Sequence, residues 1–425
     1  MFDRKRKWVI HRMASKKTRQ NCTTPEDVSL GRTVHNLPLF PPELYRDIIE
    51  WITDRQDLCN LSLTSRICSA EAQRALYSIV DLPKNTRAPV LWADTIVRHH
   101  QKALMVRALT LRFDLSFIIV PDLLLTSLQS IAQALGALRR LDKLVLIGHP
   151  LAMMHPIYTW ILDGCTAKLR TFHNSVFPSW AIIPFLSRHS QIREWKQTGM
   201  FPRGIMTDTM LPHLTKIDAH ASTLVSFTTS RSLIQVRLRI DDWDRETARD
   251  LLALSRFGAT LTTLIVEDSS TTNHLKLEEL LIHLAQATPN LRTLAYTKAS
   301  PHSAQVNYHH QTCGAHLTSS QDIFSSSSIE NLSKFEVLEI LMLQLRRQKL
   351  CPDNHHVRAI AEHAFDRCPS LRCVALKDEK NFYLCRRQGS CVIGDDDALL
   401  SDVLENDPPR PLESTYLEIQ SSYIA

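Results

Sequence analysis

The chain has 425 residues, of which 44% are hydrophobic and 22% are charged, and its formal net charge is +6. This is the mix of an ordinary globular protein, long enough for two or three domains. Only 10 residues are glycine and neither a GxGxxG nor a GxxxxGK[ST] string occurs, which excludes these two phosphate-binding motifs.

The positive charge is concentrated at the start of the chain. Residues 1–20 contain eight lysines and arginines against the single anion Asp3, so the remainder is close to neutral. We expect residues 1–36 to be a disordered basic leader. A basic tail can bind nucleic acid or serve as a nuclear signal, but nucleic acid is not an expected partner of the rest of the chain.

Several features predict a cytoplasmic or nuclear location. No apolar segment of a signal peptide follows the basic cluster. No uninterrupted apolar run approaches the roughly 18 residues that a membrane span requires. The ten cysteines are scattered, which favours reduced thiols over a disulfide framework.

The segment from 37 to 82 predicts three short helices followed by a strand. Pro41 and Pro42 suit the first positions of a helix, where a missing N–H costs nothing. Asp57 and Ser65 are candidate N-caps of the second and third helices.

The first of these helices is apolar around most of its circumference. An apolar arc of that width exceeds what two short neighbouring helices can bury, and a unit of this size has little core of its own. The remaining apolar surface then either packs on the rest of this chain or forms a docking surface for a partner protein.

From about Val106 onward, a short pattern of the form LxxLxL recurs about ten times, at spacings of 19 to 44 residues. Helical stretches lie between these segments, for example at 121–141 and 275–289. A strand that alternates with a helix at such a period predicts a leucine-rich-repeat-like α/β solenoid, here over 83–393. The alternative is an ordinary βαβ fold with a parallel sheet.

Two segments depart from the repeat. Residues 299–334 are rich in Ser, Thr, His and Asn and predict a surface insertion, and residues 394–425 predict a polar tail. Within the insertion, the spacing of His309, Cys313 and His316 could suit zinc, but a solvated loop is the simpler interpretation. We expect no metal and no cofactor, and no catalytic motif occurs.

The 37–82 segment resembles the F-box. The resemblance rests on Leu37–Pro38, the PPEL string at 41–44, the pair Ile48–Ile49, Asp57–Leu58 and the NLSLTSR string at 60–66. Where the family often has Leu-Trp at the end of the third helix, this chain has Leu76–Tyr77. With the repeats behind it, the chain is similar to the F-box/leucine-rich-repeat proteins that are numerous in fungi.

The resemblance implies a substrate-recognition subunit that is not itself an enzyme. The F-box would dock a Skp-type adaptor, and through it a cullin–RING ubiquitin ligase, while the solenoid would bind a protein substrate. By the same resemblance, the adaptor-facing residues would be Pro42, Leu44, Ile48, Ile49, Leu58, Leu61 and Leu63. The alternative is a leucine-rich-repeat scaffold with no coupling to a ligase.

The outward positions of the predicted strands suggest where a substrate would bind. Residues between the apolar ones point away from the core, and here they are mainly basic. Arginine guanidinium groups match carboxylates and phosphates, so an acidic or phosphorylated partner is expected, although ordinary solvated strand ends are an equally simple interpretation. The candidate substrate-binding residues are Arg237, Arg239 and Arg292.

Overall fold

A computed structural model provides the structure of the protein. It describes residues 41–83, 87–113, 121–148, 156–198, 206–207, 209–241, 245–269, 277–298, 326–344, 354–377, 382–388 and 391–394. The predicted leader, the candidate zinc ligands and the predicted tail beyond residue 394 lie outside the described residues.

The N-terminal part of the described chain consists of three helices. Their bounds are Pro42–Glu50 (α1), Arg55–Leu61 (α2) and Arg66–Ser78 (α3). One buried apolar residue from each helix (Ile49, Leu58 and Ala72) forms the small core of the unit. The three helices that the sequence predicts are therefore present.

The starts of these helices follow the capping rules, with one correction. Pro41 occupies the N-cap position of α1 and Pro42 the first turn. The Ser65 side chain accepts a hydrogen bond from the Cys68 N–H at 3.1 Å, as predicted for the cap of α3. The cap of α2 is Asp54, whose carboxylate accepts from the Gln56 N–H at 2.7 Å. The prediction of Asp57 as this cap was wrong.

A single sheet of 13 strands follows, with the strands in chain order from β1 to β13. Strands β1 to β11 are parallel, while β12 and β13 are antiparallel to their neighbours. The strands are Ile79–Asp81, Ala108–Arg112, Lys143–Ile147, Thr171–Asn174, Glu194–Gln197, Lys216–His220, Gln235–Ile240, Thr263–Asp268, Thr293–Lys298, Ile340–Gln344, Cys373–Lys377, Phe382–Arg386 and Cys391–Gly394. A doubly wound βαβ sheet reverses its strand order at a switch point. This sheet does not, which confirms the α/β solenoid.

Helices and 3-10 turns connect the strands. The helices are Arg87–Arg98 (α4), His100–Ala103 (α5), Pro121–Ala137 (α6), Ile183–Arg188 (α7), Ser222–Val225 (α8), Arg245–Leu252 (α9), Leu277–Ala287 (α10), Ser326–Glu330 (α11) and Asn354–Arg367 (α12). The 3-10 turns are Pro156–Leu162, Ser179–Ile182, Ala253–Phe257 and Asn331–Lys334. No helix in the described parts of the chain is both long enough and apolar enough to cross a bilayer.

The core lies between these helices and one face of the sheet. The three apolar positions of most LxxLxL segments are buried there; Leu141, Leu144 and Leu146 are an example. Because successive side chains of a strand point to opposite faces, the polar residues between them occupy the other face of the sheet. This sheet face, away from the helices, carries most of the charged side chains described below.

The residues that precede the strands form a regular row. The Asp142 N–H donates to the Arg107 carbonyl oxygen, the Arg170 N–H to that of Asp142, and the Arg193 N–H to that of Arg170, each at 2.8 Å. These positions are therefore successive rungs at the N-terminal edge of the sheet, separated by the spacing between strands, about 4.8 Å.

The surface insertion predicted at 299–334 ends earlier in the structure than the sequence suggested. Residues 326–334 form α11 and a 3-10 turn, and Ile329 and Leu332 are buried in the core. Only residues 299–325 of the predicted insertion lie outside the described residues. The predicted tail also begins too early, because Gly394 ends β13.

Candidate functional site

A stripe of exposed apolar side chains runs along α1. Leu44, Ile48 and Trp51 follow one another at helical spacing, and all three are exposed, Trp51 to 86%. Leu63, in the turn after α2, is also 86% exposed. We refer to Leu44, Ile48 and Trp51 as the apolar stripe. The sequence-based expectation of more apolar surface than the unit can bury is therefore confirmed.

The stripe includes only some of the residues predicted to face an adaptor. Leu44, Ile48 and Leu63 are exposed, and Leu61 is half-buried. Ile49 and Leu58 are only 4% and 5% exposed and lie in the core of the three-helix unit, so in this structure they offer little surface to a partner. Pro42 begins α1.

Trp51 was not among the predicted docking residues. Its position seven residues after Leu44 and three after Ile48 was visible in the sequence and places it on the same helix face. It was missed because the prediction followed the family motif, whose matched positions do not include residue 51.

On the sheet face away from the helices, charged side chains pair across neighbouring strands. Asp218 on β6 lies 2.9 Å from the Lys196 ammonium on β5 and 3.4 Å from the Arg239 guanidinium on β7. Burial alone would raise the pKa of Asp218, but the charges of Arg239, Lys196 and Arg237 lower it to about 2. The carboxylate is therefore ionised and paired with cations of its own chain.

The same pairing occurs at other positions of this face. The His173 ring nitrogen Nε2 lies 3.0 Å from Glu194. Burial alone would raise the pKa of Glu194, whereas the hydrogen bond and charge of His173 and the charges of Lys143 and Lys216 bring it below its usual value.

The three arginines predicted to bind substrate are engaged within the chain. Arg237 is only 2% exposed and pairs with Glu267 on the next strand. Arg239 pairs with Asp218 and donates to the Gln197 carbonyl oxygen. Arg292 is exposed and lies 3.6 Å from Glu339. The central cations of the predicted basic sheet face are therefore matched by acids one repeat away.

Exposed cations lie instead at the N-terminal edge of the sheet. Arg170 and Arg193 occupy adjacent rungs there and their side chains are exposed. Further exposed cations of the same repeats are Arg107, Arg139, Arg140, Lys143 and Lys168. Of the acids nearby, Asp142 lies 3.5 Å from Arg107, and Asp163 lies 2.8 Å from Arg188.

A cleft of about 940 Å³ separates the three-helix unit from the first repeats. Apolar side chains line part of it, including Ile52, Leu76 and Met105. Five arginines line it against two acids, Glu50 and Glu71; the arginines are Arg46, Arg55, Arg74, Arg107 and Arg140. The cleft is therefore basic with an apolar lining.

One constellation resembles a hydrolase triad in composition. Ser222 Oγ lies 2.8 Å from His220 Nδ1, and His220 Nε2 lies 3.7 Å from Asp241. Ser222 and His220 are both buried, and burial lowers the pKa of His220. Because the Ser222 N–H also donates to Nδ1, the arrangement closes the turn after β6 and offers no hydroxyl to a substrate.

No group of three or more His, Cys, Asp or Glu side chains within the described ranges could hold a metal ion. Cys368, Cys373 and Cys385 are buried and form no disulfide bond.

Comparison with known proteins identified no matching family model and no matching curated protein. Among solved structures, the chain is similar to the leucine-rich repeat-containing protein LegL7 from Legionella pneumophila, with a TM-score of 0.39 and 13% sequence identity. The match covers 71% of this chain and 90% of that protein.

Proposed function

We propose that the chain is a substrate-recognition subunit of a Skp-cullin-F-box type ubiquitin ligase. In this proposal α1, α2 and α3 dock a Skp-type adaptor, and the solenoid binds a protein substrate. The chain itself performs no catalytic step and needs no cofactor. The alternative, a leucine-rich-repeat interaction scaffold without ligase coupling, shares the solenoid and lacks only the adaptor.

The observation that carries the proposal is the apolar stripe on α1. Its residues belong to the segment whose sequence resembles an F-box, and they project away from the core formed by Ile49, Leu58 and Ala72. Apolar patches on soluble proteins commonly mark interaction surfaces. A helix face with apolar residues at positions i, i+4 and i+7 is a common form of such a surface.

The connection to the solenoid supports a role in presenting a substrate. Helix α3 continues directly into β1, which pairs with β2. The Arg107 N–H donates to the Ser78 carbonyl oxygen at 2.9 Å, and the Arg55 guanidinium donates to the Ile79 carbonyl oxygen at 2.8 Å. A partner docked on α1 would therefore be held in a defined orientation relative to the repeats.

The test is co-purification of a Skp-type adaptor with the full chain. The double substitution Leu44→Asp/Ile48→Asp places two charges on the stripe and should abolish adaptor binding. A matched control is Leu91→Asp/Val97→Asp on α4, whose side chains are exposed to a similar extent (49% and 45%, against 44% and 56%). The control should retain the adaptor.

Both double variants should unfold at nearly the same temperature as the wild type, because all four side chains are substantially exposed. Retention of the adaptor by Leu44→Asp/Ile48→Asp would disprove docking through the stripe. Failure of the wild-type chain to bind any Skp-type adaptor would favour the scaffold without ligase coupling.

A further inference from the structure

The cleft beside the three-helix unit adjoins, at Arg107, the row of residues at the edge of the sheet, in which Arg170 and Arg193 are cations and Asp142 is an acid. Arg107 and Arg140 line the cleft. Arg107 is also the first of the rungs that lead through Asp142 to Arg170 and Arg193. We name the cleft together with Lys143, Lys168, Arg170 and Arg193 the basic track.

Few acids lie close to the arginines of this surface, whereas Lys143 is near enough to Glu194 for its charge to lower the pKa of that carboxyl. In the cleft, Arg46 and Arg74 share one Glu71 oxygen, at 3.4 and 3.3 Å. The contact between Arg107 and Asp142 is 3.5 Å long and both side chains are about half exposed, so it contributes little. The track therefore differs from the centre of the sheet, where Arg237 and Arg239 already have acidic partners.

We propose that the basic track binds an acidic peptide segment of a partner protein, in an extended conformation. Guanidinium groups pair with carboxylates in forked hydrogen bonds. The apolar lining of the cleft, with Ile52, Leu76, Leu104 and Met105, would accept an apolar side chain between the acids. This inference deepens the proposed function. It rests on that function because it treats the partner protein as the substrate.

The dimensions fit a short peptide. Three strand spacings separate Arg107 from Arg193, a distance of roughly 14 Å, which about four residues of an extended chain would span. The cleft, at about 940 Å³, provides room for several residues more.

The lining favours a peptide over a single-stranded nucleic acid. Sequence-independent binding of single strands depends on aromatic side chains on which the bases stack. None of the described residues that line the cleft is aromatic.

The proposed adaptor surface and the track lie on different sides of α1. At 3.6 residues per turn, each residue advances about 100° around the helix. Arg46, in the cleft, is two residues from Leu44 and therefore about 200° away from the stripe. An adaptor on the stripe would leave the cleft accessible.

The test uses the purified full chain and a short fluorescein-labelled peptide of alternating Glu and Leu. Binding is followed by fluorescence anisotropy, with an alternating Lys and Leu peptide and a single-stranded DNA oligonucleotide as comparison probes. The Glu/Leu peptide should bind, and binding should weaken when the ionic strength rises from about 0.05 to about 0.3 M. The Lys/Leu peptide should not bind.

The double reversal Arg107→Glu/Arg140→Glu should weaken binding of the Glu/Leu peptide by at least about tenfold. The matched control Arg358→Glu/Arg367→Glu changes the net charge equally at exposed positions of α12 and should change binding less than about twofold. A second variant, Arg107→Gln/Arg140→Gln, removes the cations without adding acids and should show an intermediate loss at an unchanged unfolding temperature.

Three results would overturn the inference. They are no binding of the acidic peptide, equal weakening by the α12 control, or DNA binding that is tighter than peptide binding and depends on the same two arginines. The variant Leu44→Asp/Ile48→Asp should bind the peptide like the wild type. Loss of the adaptor alone would therefore count against the proposed function, and loss of the peptide alone against the basic track.

Discussion

The Lys196 ammonium on β5 lies 2.9 Å from the Asp218 carboxylate on β6. Arg239 on β7 approaches the same carboxylate from the other side at 3.4 Å. Three consecutive strands are thereby linked through one acid whose side chain is only 15% exposed. Removing the charge of this carboxylate should destabilise the fold, because Lys196 and Arg239 would then have no opposite charge beside them.

We predict that Asp218→Asn lowers the free energy of unfolding by about 3 kcal/mol. The substitution keeps the size of the side chain and removes the charge that Lys196 and Arg239 share. Denaturant unfolding of both proteins at neutral pH would measure the difference. The control Asp163→Asn breaks an exposed pair with Arg188 and should cost no more than about 0.5 kcal/mol. Equal effects of the two substitutions would contradict the prediction.

The contribution of Asp218 should also depend on pH. Its pKa in the folded protein is about 2, below its ordinary value of 3.8. A lowered carboxylate pKa stabilises the folded state above the ordinary value, and this stabilisation is lost as the pH falls through the folded value. The stability difference between the wild type and Asp218→Asn should therefore be constant above about pH 5 and shrink between pH 4 and 2. A difference that grows on acidification would contradict this assignment.

The repeat could be predicted from sequence because each unit repeats the same local rule. Every LxxLxL segment places its apolar residues on one side of a short strand, as Leu141, Leu144 and Leu146 show. The ends of the sheet do not follow the rule. Strands β12 and β13 turn back antiparallel and lack the motif, so the pattern did not reveal them.

The charge pairs across strands could not be predicted in this way. Asp218 and Lys196 become neighbours only through the register of β5 on β6, and the offset between paired residues of neighbouring parallel strands varies from 19 (Lys216 and Gln235) to 47 (Thr293 and Ile340). Each strand considered alone shows a cation or an acid without its partner. The basic sheet face was inferred from such single strands. Ion pairs between neighbouring strands balance much of its positive charge.

The apolar arc of α1 illustrates a similar limit. The sequence indicated more apolar surface than the unit can bury, but the residues left outside depend on how α1 packs on α3. That packing buries Ile49 and exposes Ile48, and the apolar pattern treats the two as equivalent.

We predict that Leu58→Ala destabilises the three-helix unit by about 2–4 kcal/mol, because Leu58 is buried in its small core. Leu63→Ala, at a side chain that is 86% exposed, should change stability by less than about 0.5 kcal/mol. Hydrogen exchange of the α1–α3 amides would measure both effects locally. Adaptor binding should instead be weakened by Leu63→Ala, since Leu63 is exposed and is among the residues proposed to face the adaptor. A large stability loss from Leu63→Ala would place that residue in the core.

The last prediction compares a buried arginine of the sheet, Arg237, with an exposed one, Arg292. Arg237 is almost fully buried and pairs with Glu267, so Arg237→Glu would set two carboxylates side by side in a buried site. The free energy of unfolding should fall by about 3–5 kcal/mol. Arg292→Glu creates the same reversal beside Glu339, but the Arg292 side chain is 62% exposed, and solvent screening should limit the loss to about 1 kcal/mol.

Denaturant unfolding of the two single variants would compare these losses. Neither reversal touches the basic track, so a folded Arg292→Glu protein should bind the Glu/Leu peptide within about twofold of the wild type. A selective loss of peptide binding in Arg292→Glu, at unchanged stability, would move the binding surface back to the C-terminal repeats. A mild effect of Arg237→Glu would show that this guanidinium is accessible to solvent.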